Sequence, residues 1–161
     1  MGNIFCSDCC KKQGYKSIDD SIDDFKDGSN IFDKNINFFN GLWLERKFTQ
    51  NTAYEKRFLW VSEDDVDQGK RKGYSIHMSE YSDKKRRHKE ANLKDVVRID
   101  VGKPNKAAQA VDENFCLTIN FKFGGGIDLK FENQTDRDLW YKKLKTILFY
   151  YNDLEKKSLD K

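Results

Sequence analysis

Phe115-Cys116-Leu117-Thr118-Ile119-Asn120-Phe121-Lys122-Phe123, then Gly124-Gly125-Gly126, then Ile127-Asp128-Leu129-Lys130-Phe131: this stretch decides the fold class. Phe115, Leu117, Ile119, Phe121 and Phe123 fall on one face of a strand, and Ile127, Leu129 and Phe131 on one face of the next. The three glycines between them supply a tight turn. No Lys-Ser/Thr follows them, so they make a hairpin and not a phosphate cradle. The pattern then changes period. Thr135 is placed to cap a helix, with Asp136 and Asp138 in the first turn, where the helix dipole favours acids. Trp140, Leu144, Ile147 and Tyr151 form one apolar stripe along it, and Lys142, Lys143 and Lys145 occupy other faces.

Earlier in the chain the strand signals recur. Gly41–Phe48 and Lys56–Ser62 carry aromatic and branched apolar residues on either side of a polar turn from Thr49 to Glu55. Tyr74–Met78 alternates, and Val96–Val101 follows. Ahead of them Phe32, Ile36 and Phe39 fall at helical spacing, which suits a short amphipathic helix leading into the domain. Six or seven antiparallel strands and one C-terminal helix describe a mainly β domain, a bent sheet plugged by a helix.

The chain has 161 residues, enough for one domain and a tail, with 37% hydrophobic and 35% charged residues. Twelve Phe, seven Tyr and three Trp provide the bulk for a core. No run approaches the roughly 18 apolar residues of a membrane-spanning helix, and residues 1–30 lack a secretory signal's apolar core. The net charge is +3, but residues 1–40 hold five Lys against seven Asp, while the remainder holds 25 basic and 20 acidic side chains. That mild bias lacks the basic stripe of a nucleic-acid binder, so nucleic acid is not an expected partner.

Catalysis and metals find no support in the sequence. Cys6, Cys9 and Cys10 cluster near the N-terminus, and Cys116 stands more than a hundred residues away. His77 and His88 are distant in sequence and unpaired, so neither a zinc quartet nor a nucleophile–base pair is expected. His77 lies within an alternating strand and reads as packing. Cys116 alternates opposite Phe115 and Leu117, towards solvent or the helix. No cofactor is expected, and the chain reads as a non-enzyme.

The first residues carry a different chemistry. Met1-Gly2-Asn3-Ile4-Phe5-Cys6-Ser7-Asp8-Cys9-Cys10-Lys11-Lys12 offers, once Met1 is removed, an unhindered Gly2 amine for N-myristoylation. The usual Ser or Thr is replaced by Cys6, which is close to Ser in size. A single myristoyl chain binds membranes only marginally, so stable anchoring needs a second signal. S-palmitoylation of Cys6, Cys9 or Cys10 would supply it and trap the protein where the transferase resides. The following segment is acidic, with the near-repeat Ser17-Ile18-Asp19-Asp20 and Ser21-Ile22-Asp23-Asp24. Asp23 to Gly28 is no calcium loop, because Phe25 and Lys34 stand where oxygen ligands belong. It reads as a spacer held off an anionic membrane.

The strand order, together with particular residues, resembles the pleckstrin-homology fold. These are Gly41-Leu42-Trp43-Leu44 opening the first strand, Lys56-Arg57-Phe58-Leu59-Trp60-Val61 in the second, and Leu93-Lys94-Asp95-Val96-Val97 at the fourth-strand entry. The segment from Phe131 through Trp140 to Leu144 matches the closing strand and helix. The resemblance covers residues 41–151 and implies a bent seven-stranded antiparallel sandwich or barrel capped by one helix. With the Gly2/Cys6/Cys9/Cys10 terminus added, the chain is similar to the inner membrane complex sub-compartment proteins of apicomplexan parasites. That likeness implies a peripheral protein, dually acylated, on the cytoplasmic side of flattened sacs beneath the plasma membrane. It also implies a domain used as a protein-interaction scaffold that has lost phosphoinositide binding. The expected organisation is an acylated segment at 1–12, an acidic spacer with a short helix at 13–37, the pleckstrin-homology-like domain at 38–155, and a tail at 156–161.

Members of the fold that bind inositol phosphates place cations at the end of strand one and entering strand two. Arg46, Lys47 and Arg57 stand at those positions, but Glu55 puts an acid two residues before Arg57. A reversed charge beside a phosphorylated headgroup costs about 1–4 kcal/mol near a surface, so weak or no phosphoinositide binding is expected. A second basic run, Lys84-Lys85-Arg86-Arg87-His88-Lys89, is either a contact for anionic lipid or a solvated loop. Phe149-Tyr150-Tyr151 holds more aromatics than one buried stripe can use, so Phe149 and Tyr150 are the expected face for an unidentified protein partner. The alternative is a membrane sensor that reads phosphoinositides through the loop between the first two strands.

Overall fold

The computed structural model describes residues 37–48, 51, 53–102 and 111–159. They form a short helix α1 (Asn37–Asn40) and strands β1 (Leu42–Phe48), β2 (Glu55–Val66), β3 (Arg71–Ser79), β4 (Lys89–Asn92), β5 (Val96–Val101), β6 (Cys116–Phe121) and β7 (Gly126–Lys130), followed by helix α2 (Gln134–Leu159). Single 3-10 turns at Leu93–Asp95 and Glu113–Phe115 lead into β5 and β6. The seven strands make one antiparallel sheet in the order β4-β3-β2-β1-β7-β6-β5. The expected class, mainly β with a C-terminal helix, is the observed one. The glycine turn is also as expected, with Gly124 and Gly125 at φ +85° and +84°, a backbone region open to glycine at little cost.

Helix α2 packs against β5, β6 and the two 3-10 turns. Its buried residues are Arg137, Trp140, Leu144 and Ile147, one face at helical spacing. The Trp140 ring meets Phe38 of α1 edge-on at 5.0 Å and Phe131 at 5.8 Å. All three aromatic side chains are buried. Each buried ring of this kind contributes about 1.5–3 kcal/mol of hydrophobic stabilisation.

Several local expectations are corrected. Asn133, not Thr135, caps α2: its side-chain oxygen accepts from Asp136 N–H at 2.8 Å and its carbonyl from Arg137 N–H. Asn makes the stronger cap because its amide also donates to the Asp136 carboxylate. The helix runs on past Tyr151 to Leu159. In the leading helix Phe38, not Phe39, is the buried ring, because α1 begins only at Asn37; Phe32 and Ile36 lie outside the described residues. Strand β6 stops at Phe121, and Phe123 is 83% exposed in the turn. Of the two alternatives for Cys116, solvent is excluded, because it is fully buried.

Two pieces of strand carried no apolar signal. Strand β4 is Lys89-Glu90-Ala91-Asn92, an edge strand whose only apolar side chain is a methyl group. The far ends of β2 and β3 are polar and exposed, and Lys72 bridges Glu63 at 3.1 Å and Asp65 at 2.6 Å across them. Pairing there is carried by the backbone ladder, which alternation does not report. Gly41 closes α1 at φ +104°, its N–H donating to Asn37 C=O, and a Cβ there would lie 2.1 Å from the Phe58 ring.

The sheet also buries a charge pair. Lys47 and Asp128 are directly opposed in the β1–β7 ladder, and Lys47 Nζ stands 2.5 Å from Asp128 Oδ2 with neither side chain exposed. Thr118, opposed to Asp128 on β6, donates to its other oxygen at 2.6 Å. The Tyr54 ring lies 5.7 Å from the ammonium. Removing one partner strands the other charge in a dry site, which costs about 3–5 kcal/mol. Urea denaturation should therefore show Asp128→Ala and Lys47→Met each losing that much. The double variant should lose far less than the sum, whereas additive losses would show that the pair is not coupled.

Candidate lipid-headgroup site

The first hairpin sets the geometry of the expected headgroup site. Arg46 and Glu55 are direct cross-strand partners in the β1–β2 ladder, and Arg57, two residues beyond Glu55, shares its face. The Glu55 carboxylate consequently lies between the two guanidinium groups, 2.8 Å from Arg57 and 3.6 Å from Arg46. Glu80 adds a second acid to Arg57 at 3.3 Å. Arg46 is nearly buried and its guanidinium lies 4.1 Å from the Phe48 ring centroid. Burial lowers its pKa, with the Arg57 charge acting in the same direction and Glu55 opposing. The two arginines are brought together as expected, but around a carboxylate of the chain itself.

Lys47 corrects the sequence reading outright. Expected beside Arg46 at a headgroup, it projects from the opposite face and is consumed by Asp128. The signal available was Asp128, an acid in the middle of the alternating strand Ile127–Phe131. Its partner could not be chosen without the register between β1 and β7. Residues 49, 50 and 52 of the intervening loop lie outside the described residues.

The basic run occupies the connection from β3 to β4, with Lys89 as the first residue of β4. Its cations are not equivalent. Lys84 turns back, donating to Phe39 C=O at 2.8 Å beside the Trp60 ring, and burial lowers its pKa. Arg86 lies over Tyr81 and Lys89 over Phe48. Lys85 and Arg87 complete the exposed run. Trp60 is also stacked on His77 at 4.9 Å, so this loop rests on an aromatic floor.

The expected partner face divides. Phe149 is 70% exposed. Tyr150 and Tyr151, in contrast, serve the fold. Strand β4 pairs with β3 only from Ser75 to Met78, leaving the earlier part of that edge open. The Tyr150 and Tyr151 hydroxyls accept from the N–H groups of Lys72 and Tyr74 there, at 2.9 and 2.8 Å. Tyr150, which looked surplus, thus joins Tyr151 in satisfying backbone donors that an edge strand would otherwise leave to water.

The cysteines and histidines also find places. Cys116 donates weakly to Asp112 C=O, and burial pushes its thiol pKa up, away from the thiolate a nucleophile needs. His77 and His88 are not distant: their ring centroids are 4.9 Å apart. Gly2, Cys6, Cys9 and Cys10, with the spacer that follows, lie outside the described residues.

This seven-stranded antiparallel sheet with a C-terminal helix is a pleckstrin-homology-like fold. Among solved structures the chain is similar to inner membrane complex sub-compartment protein 3 from Toxoplasma gondii, with a TM-score of 0.50, 13% identity, and coverage of 77% of this chain and 87% of that one. It is also similar to the PH domain from PfAPH, at TM-score 0.43, 16% identity and coverage of 66% and 80%. A third likeness is to the PH domain from TgAPH, at TM-score 0.43, 11% identity and coverage of 66% and 79%. No family model and no curated protein matches the chain.

Glu55 lies between the two arginines of the first hairpin. Glu55→Gln removes the acid while keeping its shape, and should raise affinity for phosphoinositide-bearing liposomes by about tenfold or more. Co-sedimentation with and without the phosphoinositide checks this. An unchanged affinity would show that the arginines are unavailable for some other reason.

Proposed function

We propose that this chain is a lipid-anchored peripheral membrane protein of the inner membrane complex, whose domain holds a protein and does not read phosphoinositides. The observation that carries the proposal is the first hairpin. Arg46 and Arg57 are neutralised by Glu55 and Glu80, and Lys47 by Asp128. A headgroup would have to displace these acids, so the fold's usual membrane contact is weak here. The membrane attachment then falls to Gly2 with Cys6, Cys9 and Cys10, on the one-or-two-chain logic of acyl anchors. Among the described residues no helix is long and apolar enough to cross a membrane, in keeping with a peripheral attachment. The location is supported by the likeness to inner membrane complex sub-compartment protein 3.

The parts then take distinct roles. Residues 1–12 anchor, 13–37 space, and 38–155 present the interaction surface. Of the expected partner face, exposed Phe149 remains the anchor residue, with Tyr150 committed to β3. The domain acts as a scaffold and not as an enzyme.

Membrane fractionation of cells expressing the full chain separates the roles. Gly2→Ala should abolish membrane association, and Cys6/Cys9/Cys10→Ala should weaken or misdirect it. Full-length protein made without acyltransferases should not sediment with phosphoinositide liposomes beyond bulk anionic controls. Membrane association that survives both variants, or specific sedimentation of unacylated protein, would replace the anchor with lipid reading.

A further inference from the structure

The β3–β4 pairing assembles a group of side chains that no sequence motif announces. His77 on β3 is directly opposed to Glu90 on β4, and His88 closes the loop that leads into β4. One ligating atom from each of the three lies within 4.8 Å of the others. His77 Nδ1 stands 3.9 Å from Glu90 Oε2, and the two imidazole rings are 4.9 Å apart. We propose that His77 Nδ1, His88 Nε2 and the Glu90 carboxylate form a three-ligand site for a divalent first-row transition metal of the zinc class, which clips the basic loop to β3.

The protonation pattern supports it. His88 Nδ1 lies 2.9 Å from Arg86 C=O. A carbonyl only accepts, so that nitrogen carries the proton and Nε2 presents a lone pair. His77 is nine-tenths buried, its Nε2 lies 2.8 Å from Ser62 Oγ, and its Nδ1 has no hydrogen-bond partner. A buried ring nitrogen without a partner is costly, and a metal on Nδ1 would satisfy it. Nε2–H would then donate to Ser62, the outer contact that fixes a ligating imidazole. Trp60, stacked on the His77 ring, holds its plane.

Two imidazoles and one carboxylate select zinc-class ions over calcium or magnesium, which prefer all-oxygen shells. Three protein ligands leave a fourth position for water. Tetrahedral zinc sets its ligand atoms about 3.3 Å apart, so the site must contract. His88 and Glu90 are both exposed, so the contraction falls to their side chains. Charges around the site oppose one another. Glu90 and Asp64 favour a cation at His77, whereas Lys84 and any charge on His88 disfavour it. Arg86 and Arg87 belong to the same loop, and Lys89 opens β4 directly after it.

The test uses full-length protein with Cys6, Cys9 and Cys10 replaced by Ser, so that those thiols cannot compete. It is titrated with Co2+ and then with Zn2+. Visible absorption of bound Co2+ and quenching of tryptophan fluorescence, expected from Trp60, should saturate at one equivalent, and Zn2+ should reverse both. His88→Ala and Glu90→Gln, at exposed positions, should each weaken binding by tenfold or more, with urea midpoints in chelator unchanged. Ser62→Ala should weaken it by about tenfold. The proposal is overturned if Co2+ does not bind, or if it binds equally well to the His88→Ala and Glu90→Gln variants.

Discussion

The Trp140 indole is the point on which the structure closes. Helix α2 packs against β5 and β6 of the seven-stranded sheet, and from it the fully buried Trp140 ring meets both Phe38 and Phe131. Its Nε1–H meets no acceptor, so packing alone holds the ring in place against a polar cost of about 1–3 kcal/mol. Because the ring contacts α1 and the residue after β7 together, it ties the first described element to the last.

Around that core, charge is spent internally. Three cations of the first hairpin are met by acids of the chain: register sets Glu55 opposite Arg46 and Asp128 opposite Lys47, and Glu55 reaches Arg57 along its own strand. The two arrangements differ in kind. The Lys47–Asp128 pair is dry, so it enforces register through the cost of breaking it. The Glu55 contacts are partly exposed and individually weak, since such pairs are worth about 0–1 kcal/mol. They hold a negative charge between the two arginines, where the proposed reading has a headgroup excluded. Neighbouring residues on opposite faces of one strand, Arg46 and Lys47, thus meet acids in different surroundings.

Alternation at Leu117, Ile119, Ile127 and Leu129, and the helical stripe at Trp140, Leu144 and Ile147, made the closing hairpin and helix legible from sequence. These residues follow the period of the element they build, and each is buried as that period requires. Strand β4 was invisible because an edge strand of Lys, Glu, Ala and Asn is held by backbone bonds and has no apolar face. Glu55 could be recognised as a reversal because it stands two residues from Arg57, within one strand. Lys47 could not, since its partner lies 81 residues away.

The sequence by itself determined the fold class, the chemistry on offer at Gly2 and its neighbouring cysteines, and the local charge pattern of the first hairpin. These rest on periodicity and short-range spacing, which a linear chain displays directly. Tertiary structure alone decided that Lys47 is interior, that Tyr150 and Tyr151 cap the open edge of β3, and that His77 meets His88 and Glu90. Each of those depends on strand register or on helix docking. A shift of one residue in register turns every side chain to the other face, and no feature local to the chain specifies which register is adopted.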